Sequence, residues 1–302
     1  KSEVNLKNLF DSADLLLHEK DNFLIHDFLE ICHLPAVNKI ISSSNKTDEW
    51  FDLLLRLIKK SNFNIYSLLQ QRVKQYGAKP LFQTISNKSI SALSYNKSWH
   101  IIQAIGTFLK SNFTKNHTIG LLSSNSPRGA LIDLACLAYN IPVVPIPVNL
   151  SSNHLDYILS HAEISYLFID SSSAEKFIDQ INKRSHDLLI TEINNNKEWD
   201  NFLNECNKES FQKPSKHDLN ELSTIMYTSG TTDNPKGIIF NQTNIITKRF
   251  ARALAMPEVG PDDSFLCYLP LYHTFGRWFE MMGSIFWGAT YTFTESTSFK
   301  SL

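Results

Sequence analysis

Residues 226–240 read MYTSGTTDNPKGIIF, and the reading of this stretch decides the rest. An apolar run, STIMY (223–227), has the length and composition of a buried strand. It opens into Thr228, Ser229, Gly230, Thr231 and Thr232, with Lys236 and Gly237 following. A glycine without a Cβ lets backbone amides approach a ligand closely, and successive amides in a turn form a nest for anions. Lys236 adds a compact positive charge suited to phosphate. The physical reading is a polyphosphate cradle, with a Ser/Thr-rich hairpin or linker as the plain alternative. The stretch is not the G-x-x-x-x-G-K-[ST] loop, because here lysine precedes glycine. The dinucleotide, zincin and hydrolase signatures are also missing from the sequence.

Downstream of the loop the pattern predicts a helix over about 243–255, a strand SFLCYL (264–269), a helix over about 274–286, and a strand TYTF (290–293) after Gly288. Upstream, TIGLLSS (118–124), VVPIP (143–147) and YLFID (166–170) read as strands. Helices lie between them, one capped by Ser126 with Pro127 as its first residue, the next capped by Ser151 or Ser152. Strands alternating with helices over short links imply α/β architecture, with parallel sheets flanked by helices. The prolines at 142, 145 and 147 predict that the second strand lies near an edge or is irregular.

Further upstream, Asn64 is placed to cap a helix that ends at Gly77 in the C′ position, and another helix follows at about 98–111. Residues 1–60 read as a short helical segment, with one apolar face through Leu6, Leu9, Ala13 and Leu16, and Thr47 as the cap of a third helix. His18, His26 and His33 line up roughly along this segment, either packed or solvated or as a metal cluster. The polar stretch 194–222 suggests a boundary. The expected organisation is a helical extension over 1–60, a first α/β subdomain over 61–222, and the start of a second over 223–302.

The chain has 302 residues, 42% hydrophobic and 20% charged, with a net charge of −1. This supports a sizeable core and gives no basic field for nucleic acid. Four dispersed cysteines suggest neither a zinc site nor a disulfide framework, which fits a reducing, cytoplasmic setting. No apolar run reaches the ~18 residues a transmembrane helix needs. The chain starts at Lys1 and stops at SFKSL, just after the last expected strand, so it reads as an N-terminal fragment with an incomplete final subdomain.

YTSGTTDNPKG (227–237) resembles the phosphate-binding motif of the adenylate-forming (AMP-binding) superfamily. YLPLYHTFGRWFE (268–280) is similar to its second motif, and 120–170 and 67–82 match its first subdomain in order and rhythm. The stretch LYHTFGRWFEMMGSIFWGAT looks most like the long-chain fatty acyl-CoA synthetase branch. The similarity covers about 64 to 295.

The resemblance implies ATP-dependent activation of a carboxylic acid, a fatty acid by this likeness, to an acyl-adenylate. Thioester formation with coenzyme A follows. It also implies Mg2+. Thr228, Ser229, Gly230, Thr231, Thr232 and Lys236 match the loop that holds the phosphates, Gly237 its last glycine, and Thr232 is the candidate magnesium ligand. His273 matches the histidine beside the reacting carboxylate, so His273 and Lys236 are the expected catalytic residues. Phe275, Gly276 and Trp278 stand with His273 where the family lines or gates its acyl pocket. Arg277 is read either as an anion partner or as a surface arginine.

The family usually carries glycine where this chain has Asp233. Facing a phosphate charge at about 6 Å, its carboxylate would cost ~0.7 kcal/mol per charge at water-like dielectric and ~3 kcal/mol at an effective value near 20. Pointing to solvent in a left-handed turn, it would cost only about 1 kcal/mol. Two alternatives follow: an adenylation module that loads a carrier protein, and a non-catalytic binding protein that keeps the fold. The expected partners are small molecules, with no nucleic acid and no transmembrane segment; peripheral contact with a membrane is compatible with a fatty-acid enzyme. The fragment alone is expected to be inactive, because several parts of the family's machinery lie downstream.

Overall fold

The computed structural model describes residues 5–86, 89–113, 117–184, 186–228 and 234–294. Four helices come first: α1 (Leu6–His18), α2 (Asn22–Ile31), α3 (Pro35–Ser42) and α4 (Thr47–Ser61). Then follow α5 (Ile65–Tyr76), the strands β1 (Pro80–Ile85) and β2 (Ile90–Ser94), and α6 (Tyr95–Asn112). The alternating middle comprises β3 (Thr118–Leu122), α7 (Pro127–Ala138), β4 (Val143–Pro145), α8 (Ser152–His161) and β5 (Ile164–Ile169). It continues with α9 (Ser171–Lys176), α10 (Ile178–Lys183), β6 (Leu189–Glu192) and α11 (Asn196–Cys206). The last part holds β7 (Leu222–Thr228), β8 (Lys236–Asn241), α12 (Gln242–Ala255), β9 (Ser264–Leu266), a π-helix (Phe275–Met281), α13 (Met282–Trp287) and β10 (Thr290–Thr294).

The strands form two sheets, ordered β2-β1-β10-β9 and β6-β5-β3-β4-β7-β8. Both are parallel apart from one antiparallel edge strand each, β2 on β1 and β8 on β7. The expected boundary at residues 222–223 separates neither sheet. β7 pairs with β4 across it, and β10 pairs with β1. The N-terminal helices likewise bury their apolar face in the main core, where Leu29, Trp50 and Leu57 belong to the same cluster as Phe250 and Phe286. Between the six-stranded sheet and the helices α5 and α6 lies α7, buried from Gly129 to Ala138. That buried stretch is apolar on all sides except for Asp133, as a helix sandwiched between two layers requires.

Local chemistry explains most element ends. Ser126 accepts from the Gly129 amide with Pro127 at the first helical position, Asn64 accepts from Ser67, and Ser151, not Ser152, caps α8. Gly288 ends α13 at φ 75, a left-handed conformation that favours glycine. Two expectations are corrected, and a third, left open between two outcomes, is decided. Thr47 is the first residue of α4 rather than its cap, and Lys46 precedes it without a side-chain cap. Gly77 is right-handed at φ −49; it is small because a Cβ would lie 2.5 Å from the Asn96 Oδ1 atom. The strand of VVPIP is interior, not at an edge. Its prolines are tolerated because the ladder uses the Pro142 carbonyl, which accepts from the Ile119 amide, and the Ile146 amide, which donates to Leu121. It is irregular as expected, meeting β7 at the single register pair Val143–Thr224.

Among the described residues no three His, Cys, Asp or Glu side chains could hold a metal ion. His33 is buried, bonded to the Glu30 carbonyl and the Tyr76 hydroxyl, and His26 lies edge-on to Phe63. The four cysteines are buried and free. Among the described residues no helix is long and apolar enough to cross a membrane.

Candidate functional site

β7 and β8 form an antiparallel hairpin, with Thr228 opposite Lys236 and Tyr227 opposite Gly237. Thr228 and Lys236 stand as a facing pair at the end of this hairpin. Ser229, Gly230, Thr231, Thr232 and Asp233 lie outside the described residues. Thr228, Lys236 and Gly237 are exposed. A side chain at Gly237 would reach 2.9 Å from the Ile225 Cγ2 atom and crowd the Tyr227 ring, so the glycine keeps the hairpin flat.

Beside the hairpin opens a cavity of about 490 Å³. One wall is Met226, Tyr227, Thr228 and Pro235; a second is Tyr272, His273 and Thr274; a third comes from Pro147 through Ile158, after β4 and along α8. It lies off the carboxyl ends of the parallel strands β4 and β7, the usual place for ligands in open α/β sheets. His273 is exposed at the rim rather than packed in the core.

The turn that carries His273 is pinned on both sides. Asn125, in the loop after β3, donates to the Leu269 carbonyl at 2.9 Å and accepts from the Leu271 amide at 2.8 Å. Glu280 accepts from the Leu269 amide at 3.3 Å and from the Tyr291 hydroxyl at 3.2 Å; burial raises its pKa above the usual carboxylate value. Gly276 lets the π-helix approach this turn, because a Cβ there would lie 2.5 Å from the Pro270 carbonyl oxygen and 2.7 Å from that of Leu269. Its role is thus a close backbone approach rather than a wall of the cavity.

Beneath the rim sits a buried brace. Arg277 is fully buried, not a surface arginine. Its Nε donates to the Asp133 carboxylate at 2.8 Å, its Nη2 donates to the other Asp133 oxygen, and its Nη1 donates to the Thr224 hydroxyl at 2.7 Å. Thr224 in turn donates to the Val143 carbonyl. A bidentate guanidinium–carboxylate pair thus ties the His273 helix, α7, β7 and β4 together. On the far side of β7, the Tyr227 hydroxyl meets His161 Nδ1 at 2.6 Å, and burial pushes Tyr227 up to about 12.

Phe275 and Trp278 line a second cavity of about 510 Å³, with Phe240 and residues of α12. Thr274 lines both cavities and is the wall they share. The expected pocket residues are therefore divided, His273 on one side of Thr274 and Phe275 and Trp278 on the other. Asn125, Asp133 and Glu280 were not singled out from the sequence. The signal for Asp133 was available, as the lone charge in the apolar run ALIDLACLA (130–138).

Two mostly parallel sheets thus carry a cleft with the base of the β7–β8 hairpin on one wall and the His273 turn on another. The chain matches the AMP-binding enzyme family over residues 69–301 and belongs to it. It is 28% identical to fatty acyl-CoA synthetase A of Dictyostelium discoideum over 199 residues, which cover 61% of this chain and 30% of that protein. Long chain acyl-CoA synthetase 4 of Arabidopsis thaliana is 29% identical over 217 residues, 62% of this chain and 31% of that one. Among solved structures, VinN superposes with a TM-score of 0.66 at 15% identity, covering 76% of this chain and 56% of its own. O-succinylbenzoate coenzyme A synthetase from Bacillus subtilis, in complex with AMP, superposes at 0.59 with 21% identity, again over 76% and 56%. The chain spans about 30% of the length of these synthetase relatives.

Proposed function

We propose that the protein to which this domain belongs is an AMP-forming acid–thiol ligase. Its carboxylic acid, fatty by analogy with the named relatives, attacks the α-phosphorus of ATP. Pyrophosphate leaves, and the thiol of coenzyme A then displaces AMP from the acyl-adenylate. One observation carries the reading: the base of the phosphate hairpin and the His273 turn open onto the same cavity, Thr228 and Pro235 on one wall and His273 on another.

In this reading Lys236 and Thr228 hold phosphate oxygens, together with Ser229, Gly230, Thr231 and Thr232 of the loop. Thr232 is the candidate Mg2+ ligand. The exposed hydroxyl of Thr228 opposite the Lys236 ammonium is a donor pair chemically suited to a polyphosphate. His273, as neutral imidazole, orients the acid's carboxylate by a hydrogen bond without trapping it in an ion pair. The acyl chain then passes Thr274 toward Phe275 and Trp278. Placement and charge stabilisation supply the rate in such a step, rather than covalent work by the protein. Work on fatty acids near the cytoplasmic face of a membrane suits the reading.

Carboxylate-dependent ATP–pyrophosphate exchange on the full-length protein tests this. Acids from acetate to long-chain fatty acids are compared, in wild type and Lys236→Ala. Exchange that requires one class of acid and falls about a hundredfold in Lys236→Ala is expected. Exchange equal in both proteins, or none with any acid, would overturn the assignment.

A further inference from the structure

The second cavity has one apolar wall and one cationic wall. Phe240, Phe275 and Trp278 form the first; Lys248, Arg249 and Arg252, on one side of α12, form the second. Arg249 is 2% exposed. Its Nε and Nη1 atoms have no hydrogen-bond partner among the described residues, nor do Arg252 Nη1 and Trp278 Nε1. Four buried donors thus lie in the walls of one cavity without an acceptor.

The other fully buried arginines are treated differently. Arg277 holds a carboxylate, and Arg72 donates to the Phe286 carbonyl and the Gln75 amide oxygen, each at 2.8 Å, which leaves only its Nη2 without a partner and away from this cavity. Burial, and after it the like charge of Arg252, lowers Arg249 to about 9, still above neutral pH. Burying a guanidinium such as Arg249 without an acceptor is costly unless an anion completes it, and half-buried Arg252, stacked over the Phe279 ring at 4.9 Å, sets a second positive charge beside it. A cation is excluded by the same charges, and a neutral apolar ligand would leave every donor unmet.

We propose that this cavity receives the oxyanion end of an amphipathic ligand, a carboxylate or phosphate held by Arg249 and Arg252, with its apolar body along Phe240, Phe275 and Trp278. Exposed Lys248 at the cavity adds attraction for the approaching anion. Two sources share this chemistry. One is the far end of the acid itself, which makes the substrate a dicarboxylate and rests on the ligase reading. The other is a separate amphiphile such as an alkyl phosphate, which does not.

Calorimetric titration of the chain separates the outcomes without ATP. The probes are dodecyl phosphate, dodecanedioate and dodecanol, and the proteins are wild type, Arg249→Met, Arg252→Gln, Trp278→Phe and Lys236→Ala. The anions are expected to bind at least about tenfold more tightly than dodecanol, and to lose about tenfold in Arg249→Met and severalfold in Arg252→Gln. If Arg249→Met fails to fold, Arg252→Gln and Trp278→Phe carry the same test. Dodecanol binding as tightly as the anions overturns the proposal. So does anion affinity unchanged in the folded variants, or lost only in Lys236→Ala, which would put the anion at the phosphate hairpin. Exchange on the full-length protein then names the source. Preference for dodecanedioate over dodecanoate that disappears in Arg249→Met assigns the substrate's far end. Dodecyl phosphate that displaces dodecanoate from the cavity in wild type but not in Arg249→Met, with no preference for dodecanedioate in exchange, assigns a separate amphiphile.

Discussion

The rim of the first cavity and the brace beneath it use similar groups for opposite purposes. At the rim, Thr228 and His273 are exposed, as is Lys236 opposite Thr228, and in the proposed function they take a ligand. Some residues below, Arg277, Asp133 and Thr224 are buried and already satisfied by one another. The same turn serves both, since the Arg277 amide donates to the His273 carbonyl at 3.0 Å. A guanidinium whose acceptors are built into the fold fixes a position; a cation left open offers one to a substrate. The brace therefore belongs to stability and the rim to binding, and substitutions should divide along that line.

The sharpest way to break this comparison is Asp133→Ala. It leaves the Arg277 charge buried without its carboxylate, and should cost about 3–5 kcal/mol. A urea midpoint that barely moves would show that the brace carries no stability. Next comes Gly276→Ala, whose Cβ must push against two backbone carbonyls that cannot swing away. About 1–3 kcal/mol is expected, with a displaced His273 turn and exchange falling further than stability predicts. Unchanged melting and exchange would mean that the approach is looser than drawn. Tyr227→Phe removes only the bond to His161 and should cost about 1 kcal/mol in denaturation.

The smallest effect at neutral pH belongs to His33, far from both regions. Burial, with Arg72 nearby, lowers it to about 2 from 6.5. Its folded-state pKa is depressed, so the unfolded chain takes the proton first. The stability it contributes is therefore complete above about pH 6.5 and is lost as pH falls toward 2. His33→Gln should flatten the acid limb of a stability–pH curve; an identical limb in both proteins would remove His33 as its cause.

The alternating core was legible because its strands are uniformly apolar and its helices carry plain caps, Ser126 with Pro127 and Asn64 among them. The edge strands were not. β8 was hidden because Ile238 and Ile239 are both exposed, so no alternation marked it. The β1–β2 hairpin escaped for a similar reason, with Ile85 and Ile90 exposed and short serine-rich ends. At the site, the composition of 226–240 pointed to phosphate, and the structure places Lys236 opposite Thr228 at the base of the β7–β8 hairpin. Arg277 was illegible because a lone arginine among aromatics reads equally as surface or core. Its partner Asp133 lies 144 residues away, beyond any local pattern. Arg249 and Arg252 were passed over because two cations on a helix usually face water.

Equilibrium titration of ATP into wild type and Lys236→Ala, with melting temperatures measured on the same samples, tests the division between rim and brace most directly. An ATP affinity reduced at least about tenfold, at a melting temperature unchanged within a degree or so, is the predicted result. Equal affinities, or a loss of binding accompanied by a loss of stability, would contradict it.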